Sequence, residues 1–501
     1  MTQTQGLDSV GPVGVGPAGV DWRRLDTRML LVHPAGEVVR FLPALVGVFL
    51  IGSHSNDNAW WHVAGVAVPV VLGLLRYLTT SFRITPTQLE LRRGLLNRVV
   101  LTAPLDRVRT VELTSSPIHR VLGLAKVRIG TGSAHTRGEE RLELNALSLV
   151  EARTLRAALL HDAPGATPVP TASPTHDDVL LRLDPSWVRY APLTTGGLAI
   201  GLAALAAGNQ LLTPLVTDAV HRYDGSRVSV PLWAGIVGAV VVFVVVISVL
   251  SVLGYLLANW GFVLFRDASG RSFHVVKGML TNRETSIETR RIRGVEVHEP
   301  LGLRLVGAGR LAAIVTGLSR RESSSTTLVP PAPTAAVRRV AEEVLGDGAP
   351  LKVALTGHGP AAVRRRYTRA LAGGTVASGI AAIVGLALGV HGWPLLLALV
   401  VLVPVPLLAH DRARRLGHAL AGAHLVIRSH SFHGRRVVLQ CDGIIGWNLH
   451  QSWFQRRVGL TTLVATTAGG KQGYPLLDVP DAEALGLARA ATPGLLEPFL
   501  R

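Results

Sequence analysis

Cysteine is almost absent from this chain: Cys441 is the only one in 501 residues. No intramolecular disulfide and no cysteine-based metal site can therefore form, which suits soluble parts kept in a reducing cytoplasm. Lysine is nearly as scarce, standing only at positions 126, 277, 352 and 471, so the positive charge rests on arginine. Charged residues make up 17% of the chain, yet the formal net charge is +18. The mean hydropathy is +0.36. Soluble globular proteins carry more charge and less apolar excess than this. Apolar excess beside basic excess points to a membrane protein with basic soluble parts, and to a membrane surface rather than nucleic acid as what that charge meets. The opening MTQTQGLDSVGPVGVGPAGV has no basic start followed by an apolar core. It reads as a flexible tail rather than a signal peptide.

Catalytic patterns are also missing. The chain has no P-loop, no H-E-x-x-H, no G-x-S-x-G and no carboxylate pair in a plausible pocket. GAGRL (307–311) is glycine-rich but lies between short strands, without the βαβ setting a nucleotide site needs. His54 and His62 flank an Asn/Asp loop, and His424, His430 and His433 lie on or beside a strand pattern. His424 and His430 are about 20 Å apart along an extended strand, too far to share one metal. No cofactor, metal or enzymatic activity is expected, and Cys441 reads as a buried free thiol.

What is present is long apolar runs, in three close pairs: Val38–Gly52 with Trp60–Leu78, Tyr190–Leu212 with Leu232–Trp260, and Leu371–Val390 with Trp393–His410. A helix needs about 20 apolar residues to cross a bilayer. The first run is short, which calls for tilt or partial insertion. Pro404 and Pro406 are expected to kink the last helix. Arginines gather at the entry and exit ends of the pairs, at 23, 24, 28 and 40, at 76 and 83, at 364, 365, 366 and 369, and at 412, 414 and 415. The turn SHSNDNA has none, the third turn is essentially HG, and Arg222 and Arg227 in the second are offset by Asp218 and Asp224. The turns therefore face outward, and both termini and all inter-pair regions face the cytoplasm. The helix centres lack Asp, Glu and Lys, which disfavours an ion pathway. They carry small residues at packing spacing instead: Gly197–Gly201, Gly374–Ser378 and Gly385–Gly389.

Each hairpin is followed by a polar segment of roughly 80 residues with strand patterns. FRITPTQLELRRGLLNRVVLT reads strand, turn, strand, turn, strand, and Ser148 with Glu151 forms a capping box before an amphipathic helix. The chain then repeats itself. RVRTVELTSSPIHRVLGLAKV from Arg107 matches RIRGVEVHEPLGLRLVGAGRL from Arg291 without a gap, pairing Glu112 with Glu296, Arg120 with Arg304, and Gly123 with Gly307. A more worn third copy sets Val108 against Ile444, Leu113 against Leu449, Arg120 against Arg456 and Gly123 against Gly459, without the Arg-x-Arg and the Glu. The spacing of Val108 and Val111 suggests a bulge.

The organisation read from this is a tail (1–30), hairpin 1 (31–78), β-rich domain 1 (79–160), a Pro/Thr-rich linker (161–185), hairpin 2 (186–260), domain 2 (261–346), an interfacial linker (347–366), hairpin 3 (367–410) and domain 3 (411–501). LRLDPSWVRYAPL and GPAAVRRRYTRAL, each ahead of a hairpin, read as lying in the headgroup region. The fold class is an integral membrane protein of α-helical hairpins plus β-rich domains.

The threefold hairpin-plus-β-domain plan, with an I/V-x-x-V strand and then R-x-x-G, resembles the bacterial membrane-flanked pleckstrin-homology-like (bPH2, YdbT-type) family. The resemblance covers about residues 30–500. It implies a PH-like fold for each domain, a curved seven-stranded sheet closed by a C-terminal helix, and no known enzymatic activity. PH-like folds bind lipid headgroups, peptides or proteins, so the fold alone does not choose. Heavy use of Arg, Ala, Gly and Val fits a GC-rich bacterial genome, and the expected location is the bacterial plasma membrane.

The candidate lipid- or partner-binding residues are Arg92, Arg93, Arg98, Arg107 and Arg109 in domain 1, and Lys277, Arg290, Arg291 and Arg293, with Arg283, in domain 2. Arg107 and Arg109 share a strand face. Such residues meet anionic headgroups at about 1 kcal/mol each, or simply form a solvated face set by topology. Arg120–Gly123, Arg304–Gly307 and Arg456–Gly459 read as a structural turn in which Gly takes positive φ and Arg caps the turn or pairs with an acid. Glu112 and Glu296 are expected to pair with nearby arginines. The expected partners are membrane lipids and a second membrane protein of the same type, a smaller paralogue with one PH-like domain among the candidates, and no nucleic acid.

Overall fold

The computed structural model describes residues 79–85, 87–94, 99–104, 110–130, 143–160, 179–194, 232–316, 326–387, 404–429 and 433–495, with isolated residues around 22–28, 71–78 and 196–199. Two compact units change over at Thr167–Pro168.

The first unit holds domain 1. Strands β1 (Arg23–Arg24), β2 (Ser81–Ile84), β3 (Gln88–Arg93) and β4 (Val99–Pro104) form an antiparallel sheet in that order. A second ladder joins β5 (Thr110–Ser115), β6 (Leu124–Gly130) and β7 (Glu143–Ser148), with the short helix α1 (Pro117–Val121) between β5 and β6. Helix α2 (Leu149–Leu160) closes the domain. Its start is the Ser148–Glu151 box: Glu151 N–H donates to Ser148 Oγ at 3.2 Å and Ser148 N–H to Glu151 Oε2 at 3.3 Å. Leu89, Leu91, Val111, Leu113, Leu124, Val127 and Leu144 fill the core with Ala152 and Leu155 of α2. The tail is thus more than a tail, because β1 pairs with β2 and Trp22 lies under the Arg83 and Arg92 guanidiniums at 4.9 and 4.2 Å.

In the second unit, domain 2 begins earlier than the sequence reading placed it. β8 (Val179–Arg182), from the end of the expected linker, pairs antiparallel with β9 (Val263–Arg266), because its Leu181 reaches the core. Within LRLDPSWVRYAPL, Pro185–Leu193 is a 3₁₀ segment that buries Trp187, Tyr190 and Ala191 against the protein. Helix α3 (Leu232–Asn259) leads to β9, β10 (Ser272–Lys277), β11 (Asn282–Glu288), β12 (Ile292–Pro300), α4 (Leu301–Leu305), β13 (Ala308–Val315), β14 (Thr327–Pro333) and the closing helix α5 (Thr334–Leu345). Domain 3 repeats the plan after α6 (Gly359–Ala387) and α7 (Pro404–Arg414): β15 (Gly417–Ala421), β16 (His424–Ser429), β17 (His433–Gln440), β18 (Ile444–His450), α8 (Trp453–Arg456), β19 (Leu460–Thr467), β20 (Gly473–Pro480) and α9 (Asp481–Ala491). The two domains share a sheet. β12 pairs antiparallel with β17, giving a six-stranded order β14-β13-β12-β17-β16-β15, while β18-β19-β20 stand apart.

Among the described residues two helices are long and apolar enough to cross a membrane, Val241–Asn259 and Gly359–Ala387. GPAAVRRRYTRAL, divided in the sequence reading between a linker and the third hairpin, is the first part of the continuous helix α6. Two of its arginines meet an acid far away in sequence: Arg365 Nη1 and Arg366 Nη2 each lie 2.6 Å from the buried Asp478 carboxylate on β20. α6 packs on α7 at Gly374, where a Cβ would stand 2.6 Å from Val405 Cγ2, and Ser378 is buried as well. At Gly197 a Cβ would meet Ser251 Oγ of α3 at 2.9 Å. Gly201, Gly389, the first apolar run (38–52), the start of α7's pair (393–403) and the outward turns lie outside the described residues.

Candidate functional site

The arginines singled out from the sequence are mostly engaged within the fold. Arg92 stacks on Trp22, and Arg93 stands on β3. Arg98, Arg107 and Arg109 lie outside the described residues. Lys277 is half-buried opposite Arg283 on the β10–β11 ladder. Arg290 and Arg291 both bind Glu288, with Nε–Oε2 distances of 2.9 and 2.5 Å, and Arg293 Nη1 reaches Asp442 of domain 3 at 3.0 Å. Burial would raise the Glu288 carboxyl, but the hydrogen bonds and charges of Arg290 and Arg291 hold it below the usual carboxylate range. Of this group Arg290 remains well exposed, at 66% of its side chain.

The R-x-x-G element acquires a local explanation. In each domain it ends the short helix after the central strand: Gly123, Gly307 and Gly459 have φ of +69°, +65° and +63°. Their N–H groups turn back to the carbonyls of Arg120, Arg304 and Arg456 at 3.2, 3.1 and 3.5 Å. Their own carbonyls receive the first N–H of the closing helix, from Leu149, Thr334 and Asp481 at 3.0, 2.9 and 3.1 Å. The glycine therefore couples the tip to the closing helix. The tips also carry exposed apolar side chains: Val121 on α1, Leu305 and Val306 at α4, and Trp453 and Phe454 on α8. Arg304 is bound to Asp411 of α7 (Nη2–Oδ1 3.1 Å), and Ser452 at the start of α8 accepts from Arg365 of α6 at 3.1 Å.

The β12–β17 joint is the most developed polar site. Glu296 on β12 is buried and meets Arg435 Nε of β17 at 2.9 Å, Lys471 Nζ at 3.1 Å and His298 Nε2 at 3.3 Å. Burial alone would raise the Glu296 carboxyl; the hydrogen bond from His298 and the charges of Arg435 and Lys471 overcome it and bring it down to about 2. Gly294 permits the approach: its φ is +148°, and a Cβ there would stand 2.0 Å from the Val438 carbonyl oxygen. Sequence reading anticipated an arginine for Glu296 but sought it nearby, whereas Arg435 and Lys471 come from the next domain and only His298 is local. Glu112 of domain 1 is likewise buried, with Arg128 Nη1 at 3.4 Å.

No group of three or more His, Cys, Asp or Glu residues that could hold a metal occurs among the described residues. Burial, aided by Asp442, pushes the half-buried Cys441 thiol up. A buried histidine pair joins His358, just before α6, to His418 on β15 (Nε2···Nδ1 2.9 Å), and His358 Nδ1 donates to the Leu477 carbonyl at 2.8 Å.

Sheets of three or four short strands, each set closed by a helix and repeated along the chain, define a protein of tandem pleckstrin-homology type. The family model for the bacterial PH domain matches residues 37–163, 200–346 and 375–489, and the chain belongs to that family. The three matches start at residues 37, 200 and 375, so each takes in apolar sequence as well as the β-rich segment that follows it. No curated protein and no solved structure matches.

Proposed function

We propose that this is a non-enzymatic, multi-pass protein of the bacterial plasma membrane that presents its three PH-like domains at the cytoplasmic face as a scaffold for a membrane protein complex. The observation that carries this reading is the β12–β17 joint, where one PH-like domain uses a sheet edge to bind another domain. Arginine-rich ends on α6 and α7 favour the cytoplasmic side for these domains. Isolation of the tagged full chain in mild detergent should give a complex of fixed stoichiometry containing a membrane protein. A monodisperse single chain with nothing bound would overturn the reading.

A second reading, contact with anionic lipid, is favoured by the tips rather than by the engaged arginines. Leu305 is 77% exposed beside Arg304, which is tied to Asp411 at the end of α7, and Phe454 is 68% exposed beside the start of α6. Apolar side chains flanked by arginine at the ends of spanning helices suit the headgroup boundary. A fluorophore on cysteine at Leu305 or Phe454, in a Cys441→Ser chain reconstituted in vesicles, should be quenched by shallow spin-labelled lipid. Quenching no greater than for a label at exposed Glu483 counts against it.

A further inference from the structure

We propose that the edge of β18, which no strand covers among the described residues, binds β4 of a second copy of this chain, antiparallel, in the register that joins β12 to β17. The proposal rests on the scaffold reading and names its partner. β18 is the repeat equivalent of β12: Ile292, Gly294, Glu296 and Val297 correspond to Ile444, Gly446, Asn448 and Leu449. β4 is the equivalent of β17: Arg435, Arg436, Val437 and Leu439 correspond to Val99, Val100, Leu101 and Ala103. β4 ends its sheet in the first unit and β18 ends its own in the second, whereas β12 is covered by β17.

Three features of the two strands fit this pairing. The first is steric. Gly294 has a reason to be glycine, the Val438 carbonyl of the facing strand, whereas a Cβ at Gly446 would meet nothing within 4 Å. The partner strand supplies the missing reason, since the Thr102 carbonyl stands where Val438 stands in the joint.

The second is apolar surface. Val297 of β12 is 6% exposed, but its counterpart Leu449 is 47% exposed and Val100 of β4 is 49% exposed. In the joint Val297 faces Arg436, so the proposed register sets Leu449 against Val100 and buries both. Pro104, which lacks an N–H, falls at the position of Gln440, just past the last paired residues Gly294 and Leu439.

The third is charge. β12 carries Glu296 and β5 carries Glu112 where β18 carries Asn448; β17 carries Arg435 and β11 carries Arg283 where β4 carries Val99. Acid and base are lost together, on the two strands that would meet. Set against a β17-type strand, β18 would leave an arginine without its carboxylate, and β4 set against a β12-type strand would leave a buried glutamate without its arginine. Either mismatch is costly, which directs β18 to β4.

The test uses two differently tagged full chains, both Cys441→Ser, co-expressed and oxidised in native membranes with copper-phenanthroline. One carries Leu449→Cys and the other Val100→Cys. The expected product is a reducible species bearing both tags, at least tenfold above the control pair Leu449→Cys with Gln88→Cys. Adding Gly446→Val should cut that yield at least tenfold while the melting temperature of the chain stays unchanged. A yield no higher than the control, or one that Gly446→Val leaves intact, overturns the proposal. If Leu449→Cys is cross-linked instead to a different membrane protein, the second copy is excluded while the scaffold reading stands. If the chain is recovered alone and uncross-linked, both fail.

Discussion

Glu296 is a carboxylate taken out of water and held by three cationic or hydrogen-bonding partners from different parts of the second unit. Removing one member of such a buried set leaves the others desolvated without compensation, at a cost of about 3 kcal/mol or more. Glu296→Ala should therefore lower denaturant stability by that order, and the double variant Glu296→Ala/Arg435→Ala should lose less than the two single losses combined. The pH dependence follows from the depressed carboxyl. Its stabilisation is complete above the ordinary glutamate range and disappears as pH falls from about 4.5 towards 2. The histidine pair acts at milder acidity. Burial, above all, pushes His358 down to about 4, and His418 is lowered by burial as well. Since His358 Nδ1 donates to Leu477, its neutral Nε2 accepts from His418 Nδ1, and a proton on His358 Nε2 requires the His418 ring to move its own proton to Nε2 as well as placing a charge in a buried site. The unfolded chain takes up that proton first, so stability is full above about 6.5 and declines towards pH 4, by roughly 3 kcal/mol at most. Urea titrations between pH 7.5 and 5 should show this slope, and His358→Gln should flatten it.

At the level of elements, the two equivalent glycines make opposite predictions. Gly294→Ala should cost about 2 kcal/mol or more, because both its φ and the Val438 carbonyl oppose a side chain. Gly446→Ala should change the unfolding midpoint of the isolated chain by no more than about 0.5 kcal/mol. Thermal unfolding of both variants in detergent tests the contrast. The elements were unequally legible from sequence. β2, β3 and β4 alternate cleanly, the Ser148–Glu151 box announces α2, and R-x-x-G marks a turn because only glycine takes its φ without strain. β8 was hidden because four residues at the end of a Pro/Thr-rich stretch carry little periodicity, and only pairing with β9 makes them a strand. The start of α6 was misread because three consecutive arginines look interfacial until Asp478, more than a hundred residues away, is seen between them. The Arg435 and Lys471 partners of Glu296 were invisible for the same reason: contacts between domains leave no local spacing to read.

For the whole molecule, the Arg365–Asp478–Arg366 clamp decides how α6 is attached to domain 3. Asp478 is 1% exposed and also accepts from Gln455 at 2.8 Å, so the clamp reaches the α8 tip. Asp478→Asn keeps the hydrogen bonds to Gln455 and one arginine but removes the charge. The predicted result is a loss of about 3 kcal/mol and faster proteolysis between Leu355 and Arg365 in membranes, measured against Asp481→Asn as an exposed control.

The same clamp makes α6 a lever. A helix of this length spans roughly 40 Å, and a bilayer that thins or thickens changes the tilt of the helices it holds. Because β20 grips the first turns of α6 through two guanidiniums, a change of tilt in a bilayer-spanning α6 would be delivered to domain 3 as a rotation rather than absorbed in a slack linker. The β12–β17 ladder would hand that rotation on to domain 2, so for an α6 that spans the bilayer, membrane thickness would become a mechanical input to the sheet both domains share.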